Sequence, residues 1–172
     1  MLTTMTMTSP LGPLRVFARG EDLIGVYLPD HDPAPPVQLD DAPERKTPVL
    51  ARTAAQLREY FAGERTLFDL PLAPDGTGFQ RLVWDALERI PYGVTRTYGE
   101  LAAAIGRPSA SRAVGTANSR NPLSIIVPCH RVIGASGALT GYAGGMRTKQ
   151  WLLEHEARYM MSPQLPSATA FR

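Results

Sequence analysis

The chain has 172 residues, 44% of them hydrophobic and 20% charged, ordinary values that suffice for one domain or two small ones. Eighteen basic residues against sixteen acidic leave a net charge of +2, too little to argue for nucleic-acid binding from total charge alone. No stretch approaches the roughly 20 apolar residues of a membrane span, and the opening Met1-Leu2-Thr3-Thr4-Met5-Thr6 lacks the basic-then-apolar order of a secretory signal, so a cytoplasmic, membrane-free protein is expected.

In chain order, Leu2 to Thr8, Leu14 to Ala18 and Leu23 to Leu28 read as short strands separated by turn signals at Ser9-Pro10-Leu11-Gly12-Pro13 and Gly20-Glu21-Asp22, so a meander is the economical arrangement. Residues 29 to 48 carry six prolines and predict a long surface loop. Thr47-Pro48 then supplies an N-cap and a first-turn proline for a helix that places Leu50, Ala54, Leu57 and Phe61 on one face before Gly63. A further strand is expected over Thr66 to Leu70. The segment Pro71 to Gly76 is the best domain boundary, dividing the chain into residues 1–75 and 76–172.

The second part opens with Thr77 and Gln80 at capping-box spacing, and Phe79, Leu82, Val83, Ala86, Leu87 and Ile90 form an apolar helical stripe up to Pro91. Thr97 and Glu100 repeat that spacing, Leu101, Ala102 and Ile105 face inward, and Gly106 suits the end of the helix. Ser109 is the candidate cap for a second short helix through about Ala117. Two short helices joined by Gly106-Arg107-Pro108 make a helix-turn-helix candidate. Ser111, Ala113 and their small neighbours would let the second helix approach a groove closely, with Arg112 as its one long side chain. Arg107, Arg112, Arg120, Arg131 and Arg147 fall in a stretch with no acidic residue, which predicts a basic patch for a polyanion. The residues from Ser162 onward are expected to fray.

The only cysteine stands in Ile125-Ile126-Val127-Pro128-Cys129-His130-Arg131-Val132. An apolar run followed by proline predicts a thiol delivered by a buried strand into a tight turn, beside an imidazole and a guanidinium that would favour its thiolate. Neighbouring side chains in extended backbone point apart, so His130 is expected to act on Cys129 indirectly, oriented in turn by a carboxylate. Glu154 and Glu156 both qualify. The alternative for a lone cysteine is a small buried hydrophobe. One cysteine and three scattered histidines offer no metal-ligand cluster, so neither metal nor cofactor is expected.

Six ordered blocks carry a specific likeness: Thr97-Tyr98-Gly99-Glu100-Leu101-Ala102, Arg112-Ala113-Val114-Gly115, Asn121-Pro122, Pro128-Cys129-His130-Arg131-Val132, Gly137 to Gly145, and Lys149-Gln150-Trp151-Leu152-Leu153. Together they resemble the O6-alkylguanine-DNA alkyltransferases, closely over residues 77 to 156 and loosely before that. The resemblance implies an α+β chain, with an N-terminal ribonuclease-H-like sheet-and-helix domain and a helical C-terminal domain containing the helix-turn-helix. It implies single-turnover transfer of an O6-alkyl group from guanine in double-stranded DNA to the protein's own cysteine, by a protein that is monomeric in solution; O4-alkylthymine, and cooperativity on DNA, are left open. Cys129 then resembles the alkyl acceptor, His130 its water-mediated base and Glu156 the orienting carboxylate. Asn121 resembles the hinge, Tyr98 the proton donor beside the target phosphate, and Lys149 an assisting cation. Arg112 resembles the finger that replaces the extruded base, with Thr97, Ser111 and Ala113 beside it on the DNA. Val132, Tyr142, Ala143 and Gly144 would form the base pocket, where Ala143 stands in place of a serine found in many relatives. The five glycines of the loop Gly134 to Gly145 suggest a roomy site with Tyr142 as an apolar wall. A Cys-His peptidase is disfavoured because it would need an oxyanion hole and a histidine distant in sequence.

Overall fold

The computed structural model describes residues 1–160. Strands β1 (Leu2–Met7), β2 (Leu14–Arg19) and β3 (Asp22–Tyr27) form an antiparallel meander with Leu2 opposite Arg19, Met7 opposite Leu14 and Arg15 opposite Tyr27, broken by an irregularity at Phe17/Ala18. The proline-rich segment that follows contains one 3-10 turn, Val37–Leu39, and a parallel bridge from Glu44 to Thr4 of β1. Helix α1 (Pro48–Phe61) starts where expected, with the Thr47 hydroxyl accepting from the Leu50 N–H, and lays Leu50, Ala54 and Leu57 against the sheet. Gly63 closes it at φ +78, and a side chain there would collide with the Tyr159 ring.

Residues 66–70 are not a strand. Gln56 of α1 takes their ladder bonds instead: its Oε1 accepts from the Asp69 N–H at 2.9 Å and its Nε2 donates to the Asp69 carbonyl at 3.0 Å. Pro71 and Ala73 then bond to both sides of Leu23, so the segment leaving the first part lines the free edge of β3.

Helix α2 (Gly78–Glu88) carries the full Thr77–Gln80 capping box. Its buried face is Val83, Trp84, Ala86 and Leu87; Leu82, expected inside, is exposed, and Trp84 takes the interior place because its indole N–H donates to the Ala117 carbonyl at 2.9 Å. Helices α3 (Tyr98–Ala104) and α4 (Ser111–Ser119) form the helix-turn-helix, with Gly106 at φ +76 in the turn. Ser109 does not cap α4: Ala110 occupies that position, without a side-chain bond. Strand β4 (Arg96–Thr97) pairs in parallel with β5 (Val132–Ile133), tying the entrance of α3 to the segment after the cysteine. Helix α5 (Met146–Met160) closes the described chain.

Both parts share one continuous apolar core, running from Leu14, Val26 and Leu57 through Val83, Leu101 and Val114 to Cys129 and Leu152. Polar links cross the same seam. The Val26 N–H donates to the Pro122 carbonyl and the Ser124 N–H to the Val26 carbonyl, at 2.8 and 3.2 Å, so β3 grips the loop that leads to the cysteine.

Candidate active site

The run Ile125 to Val127 is apolar and buried, and with Ser124 it forms a chain of turns, not the expected strand. The Val127 N–H reaches back to the Leu123 carbonyl and the Cys129 N–H to the Val127 carbonyl, while Ile125 adopts φ 73, a left-handed conformation costly for a β-branched residue. Asn121 holds this shape. Its Oδ1 accepts from the Leu123 N–H at 3.0 Å, and its Nδ2 donates to the Val127 carbonyl at 2.9 Å and to Cys129 Sγ at 3.2 Å. From α4, Asn118 Nδ2 donates to the Cys129 carbonyl at 3.3 Å, a contact that nothing in the local sequence pattern announces. The turn and the second helix of the helix-turn-helix are thereby joined.

Cys129, His130 and Arg131 form a 3-10 turn and are 1%, 0% and 6% exposed, so the whole tripeptide is interior, and burial of its polar groups needs several satisfied partners. Its partners explain how. Glu156 of α5, 1% exposed, accepts from His130 Nε2 at 2.7 Å and Arg131 Nε at 2.7 Å, from Arg131 Nη2 at 3.0 Å, and from the Tyr60 hydroxyl at 2.7 Å. The Gly93 N–H adds a fifth bond at 3.3 Å, and Arg131 Nη1 donates to the Ile90 carbonyl. Glu154, the other candidate, is exposed and accepts from Gln150. Burial alone would raise the Glu156 pKa, but the charges and hydrogen bonds of His130 and Arg131 outweigh it and hold the carboxyl well below the usual range. Because Nε2 of His130 donates to this carboxylate, its Nδ1 is the basic nitrogen, and it has no hydrogen-bond partner among the described residues.

Arg131 therefore spends its charge on Glu156 and neither favours the thiolate directly nor belongs to the basic surface, two corrections to the sequence reading. Burial pushes the Cys129 thiol up to about 11, opposed by the Asn121 hydrogen bond and the charge of Lys149. Lys149, fully buried on α5, donates to the carbonyls of Val132 at 2.6 Å and Thr140 at 2.7 Å; burial lowers it to about 8. It fixes one end of the loop Gly134 to Gly145 against β5.

The loop's other end is fixed by the N-terminal part. The Asp32 N–H donates to the Ala143 carbonyl at 2.8 Å, and His31 Nε2 lies 3.0 Å from Ser124 Oγ. Gly144 lacks a side chain where Leu28 packs: an added Cβ would lie 2.4 Å from Leu28 Cδ1 and 2.9 Å from the Tyr142 ring. Its smallness therefore admits Leu28, whereas Gly137, Gly141 and Gly145 face open space. Tyr142 is half-buried, its hydroxyl near Cys129 and Ser124 without a hydrogen bond of ordinary geometry, and its ring is edge-on to His130. Tyr98, at the start of α3, donates to the Thr140 carbonyl at 3.3 Å from the outer side of the same loop.

On the outer face of the helix-turn-helix, Arg112 and Ala113 are exposed and Ser111 is half-buried at the start of α4. The Thr97 hydroxyl caps α3 by accepting from the Glu100 N–H at 3.1 Å. Arg107, Arg120 and Arg147 are exposed as well, so four of the five arginines of the acid-free stretch face solvent. Among the described residues no helix is long and apolar enough to cross a membrane, and no three His, Cys, Asp or Glu side chains converge as a metal site.

Residues 78–158 match the family model of the 6-O-methylguanine DNA methyltransferase DNA-binding domain, and residues 2–74 that of its ribonuclease-like domain. A methylated-DNA–protein-cysteine methyltransferase of Methanosarcina acetivorans is 51% identical over 86% of this chain and 94% of its own length. The chain belongs to this methyltransferase family. A methylated-DNA–protein-cysteine methyltransferase of Mycobacterium leprae is 48% identical over 94% of this chain and 96% of the relative. Among solved structures, the Mycobacterium tuberculosis methyltransferase in complex with DNA superposes with a TM-score of 0.84 at 46% identity, covering 91% of this chain and 94% of that one. The methyltransferase fold, a ribonuclease-like sheet and helix followed by a helical part with a helix-turn-helix, is thus the fold expected from the sequence.

Proposed function

We propose that this chain repairs alkylated DNA directly, moving the O6-alkyl group of a guanine in double-stranded DNA onto Cys129. The observation that carries this reading is the buried Cys129 Sγ held by Asn121 beside an imidazole whose other nitrogen is bound to ionised Glu156. A thiol pushed up to about 11 is an inert hydrophobe unless a base takes its proton as it attacks, and His130 Nδ1 is such a base. The Sγ–C bond forms as the O6–C bond breaks. The thiol proton passes to His130 Nδ1 through a bridging water, and the guanine leaves as its developing charge is neutralised by a proton from Tyr98. Glu156, fully ionised, stabilises the imidazolium without taking its proton.

An O6-alkyl carbon inside a duplex is out of reach, so the nucleotide must be turned out of the stack. Exposed Arg112 on α4 is the side chain that fills the gap, and the surrounding arginines hold the phosphates. Thr97, Ser111 and Ala113 line the same contact. Val132, Tyr142, Ala143 and Gly144 receive the base, with the Val132 and Ala143 carbonyls held in place by Lys149 and the Asp32 N–H. Cys129 is the only cysteine of the sequence, so no second thiol takes the alkyl group from the thioether and each molecule acts once.

Stoichiometry tests the proposal. With a molar excess of a duplex containing O6-methylguanine, repair stops at one guanine per protein, and Cys129→Ser repairs none. Continued turnover, or repair by Cys129→Ser, contradicts it.

A further inference from the structure

The carboxylate of Glu156 is tied to the N-terminal part by a residue that the local sequence pattern leaves in the core. Tyr60 stands in the last turn of α1 and is fully buried, and it makes two polar contacts with α5 one residue apart. Its hydroxyl donates to Glu156 Oε2 at 2.7 Å, and its carbonyl accepts from His155 Nε2 at 2.8 Å. Packing fixes the ring as well: Phe61, Phe68, Tyr92 and His155 surround it with centroids 5.2 to 6.2 Å away. A structural tyrosine needs only one acceptor for its hydroxyl. This one is given the same carboxylate oxygen that His130 Nε2 contacts at 2.7 Å.

That sharing has an electrostatic consequence. Tyr60, His130 and Arg131 Nη2 all donate to Oε2 and compete for its negative charge, and donation by Tyr60 weakens the attraction that Oε2 exerts on a protonated His130. We infer that Tyr60 is a positioning residue of the alkyl-transfer site, through which the N-terminal part of the chain sets the basicity of His130. The inference rests on the reading of His130 and Glu156 as the relay to Cys129. Tyr60 touches neither thiol nor substrate; it acts through Glu156. Arg131 and Gly93 share Glu156 mainly through Oε1, so the contact of Tyr60 with the His130-bound oxygen distinguishes it from them, with Arg131 Nη2 the remaining donor there.

The test is the pH dependence of the second-order rate of Cys129 with free O6-benzylguanine, which leaves DNA binding aside. Tyr60→Phe removes the hydroxyl and keeps the ring. Oε2 is then freer to hold imidazolium, and the acid limb of the profile, where His130 protonates, moves to higher pH by about one unit, so that the rate at the wild-type midpoint falls roughly 5-fold. Incorporation of 3,5-difluorotyrosine at position 60 gives a stronger donor in nearly the same volume, and the limb moves the opposite way. Opposed shifts are expected; superimposable profiles, or shifts in one direction for both proteins, overturn the inference. Should Tyr60→Phe fail to fold, the fluorinated protein decides alone: a downward shift supports the inference and an unmoved limb overturns it. Glu156→Gln separates this from the underlying reading. If that variant keeps the wild-type limb, the relay itself is wrong; if it moves the limb and neither change at Tyr60 does, only the role of Tyr60 falls.

Discussion

The two faces of the cysteine turn are built on opposite principles. Behind it, Glu156 gathers five donors from three separate segments, in a space closed to solvent. In front, the loop Gly134 to Gly145 and the outer surface of α4 are largely exposed, and the loop is held at few points, by Lys149, Tyr98 and the N-terminal segment at Asp32. The buried side fixes protonation states that must not vary with the substrate. The open side must accept a large, flat base together with the backbone that carries it, so it is secured through main-chain groups and its outer face is left free.

The largest expected effect comes from breaking the buried side. Glu156→Gln strands the Arg131 guanidinium, and removing one partner of a buried ion pair costs about 3–5 kcal/mol, read as a lower urea midpoint at pH 7. Because the folded-state pKa of Glu156 is depressed, its contribution is present above the unfolded carboxylate range and is lost as pH falls through the folded value. The penalty of the variant therefore shrinks toward acid pH. A pH-independent penalty would show that Glu156 contributes by packing alone.

On the open side the expected losses are in rate and not in stability. Arg112→Ala slows repair in duplex DNA by ~10-fold or more, since turning out a base costs a few kcal/mol, and leaves reaction with free O6-benzylguanine unchanged. Equal slowing of both substrates removes the finger role and returns Arg112 to the phosphate-binding surface. Gly144→Ala tests the seam between the two sides: the new methyl meets Leu28, so a cost of about 1–3 kcal/mol from overpacking is expected in thermal or urea unfolding. An unchanged stability means that Leu28 yields freely. The smallest effect belongs to a single exposed cation. Replacing Arg107, Arg120 or Arg147 with alanine lowers the slope of log affinity against log salt by about 1 without changing sequence preference; an unchanged slope places that arginine off the DNA.

This contrast also decides what could be read in the sequence. Features that depend on neighbours a few residues apart are legible: the capping boxes of Thr77 with Gln80 and Thr97 with Glu100, the cap at Thr47, the meander and the turn glycines. The cysteine turn deceives because Ile125 to Val127 carry strand-like side chains while the Asn121 amide supplies the hydrogen bonds of a turn. Residues 66–70 deceive for the same reason, with Gln56 in the part of Asn121. Charge alone puts Arg131 on the surface, but its partner lies 25 residues away and buries it. Tyr60, 96 residues from Glu156, looks like any core aromatic, and no periodicity connects the two. Contacts set by tertiary packing leave no local signature. The motif blocks from Thr97 to Leu153 supplied the family and, through it, the choice of Glu156 over Glu154 that spacing left open.

Cys129 itself receives the alkyl group in this reaction, and only once. The most direct measurement of this transfer is the mass of the intact protein, followed by peptide mapping, after incubation with excess duplex containing O6-methylguanine. A complete gain of a single methyl group in place of hydrogen is expected, located on the peptide bearing Cys129 and absent from Cys129→Ser. An unmodified protein beside restored guanine, or a methyl group found on any other residue, would contradict it.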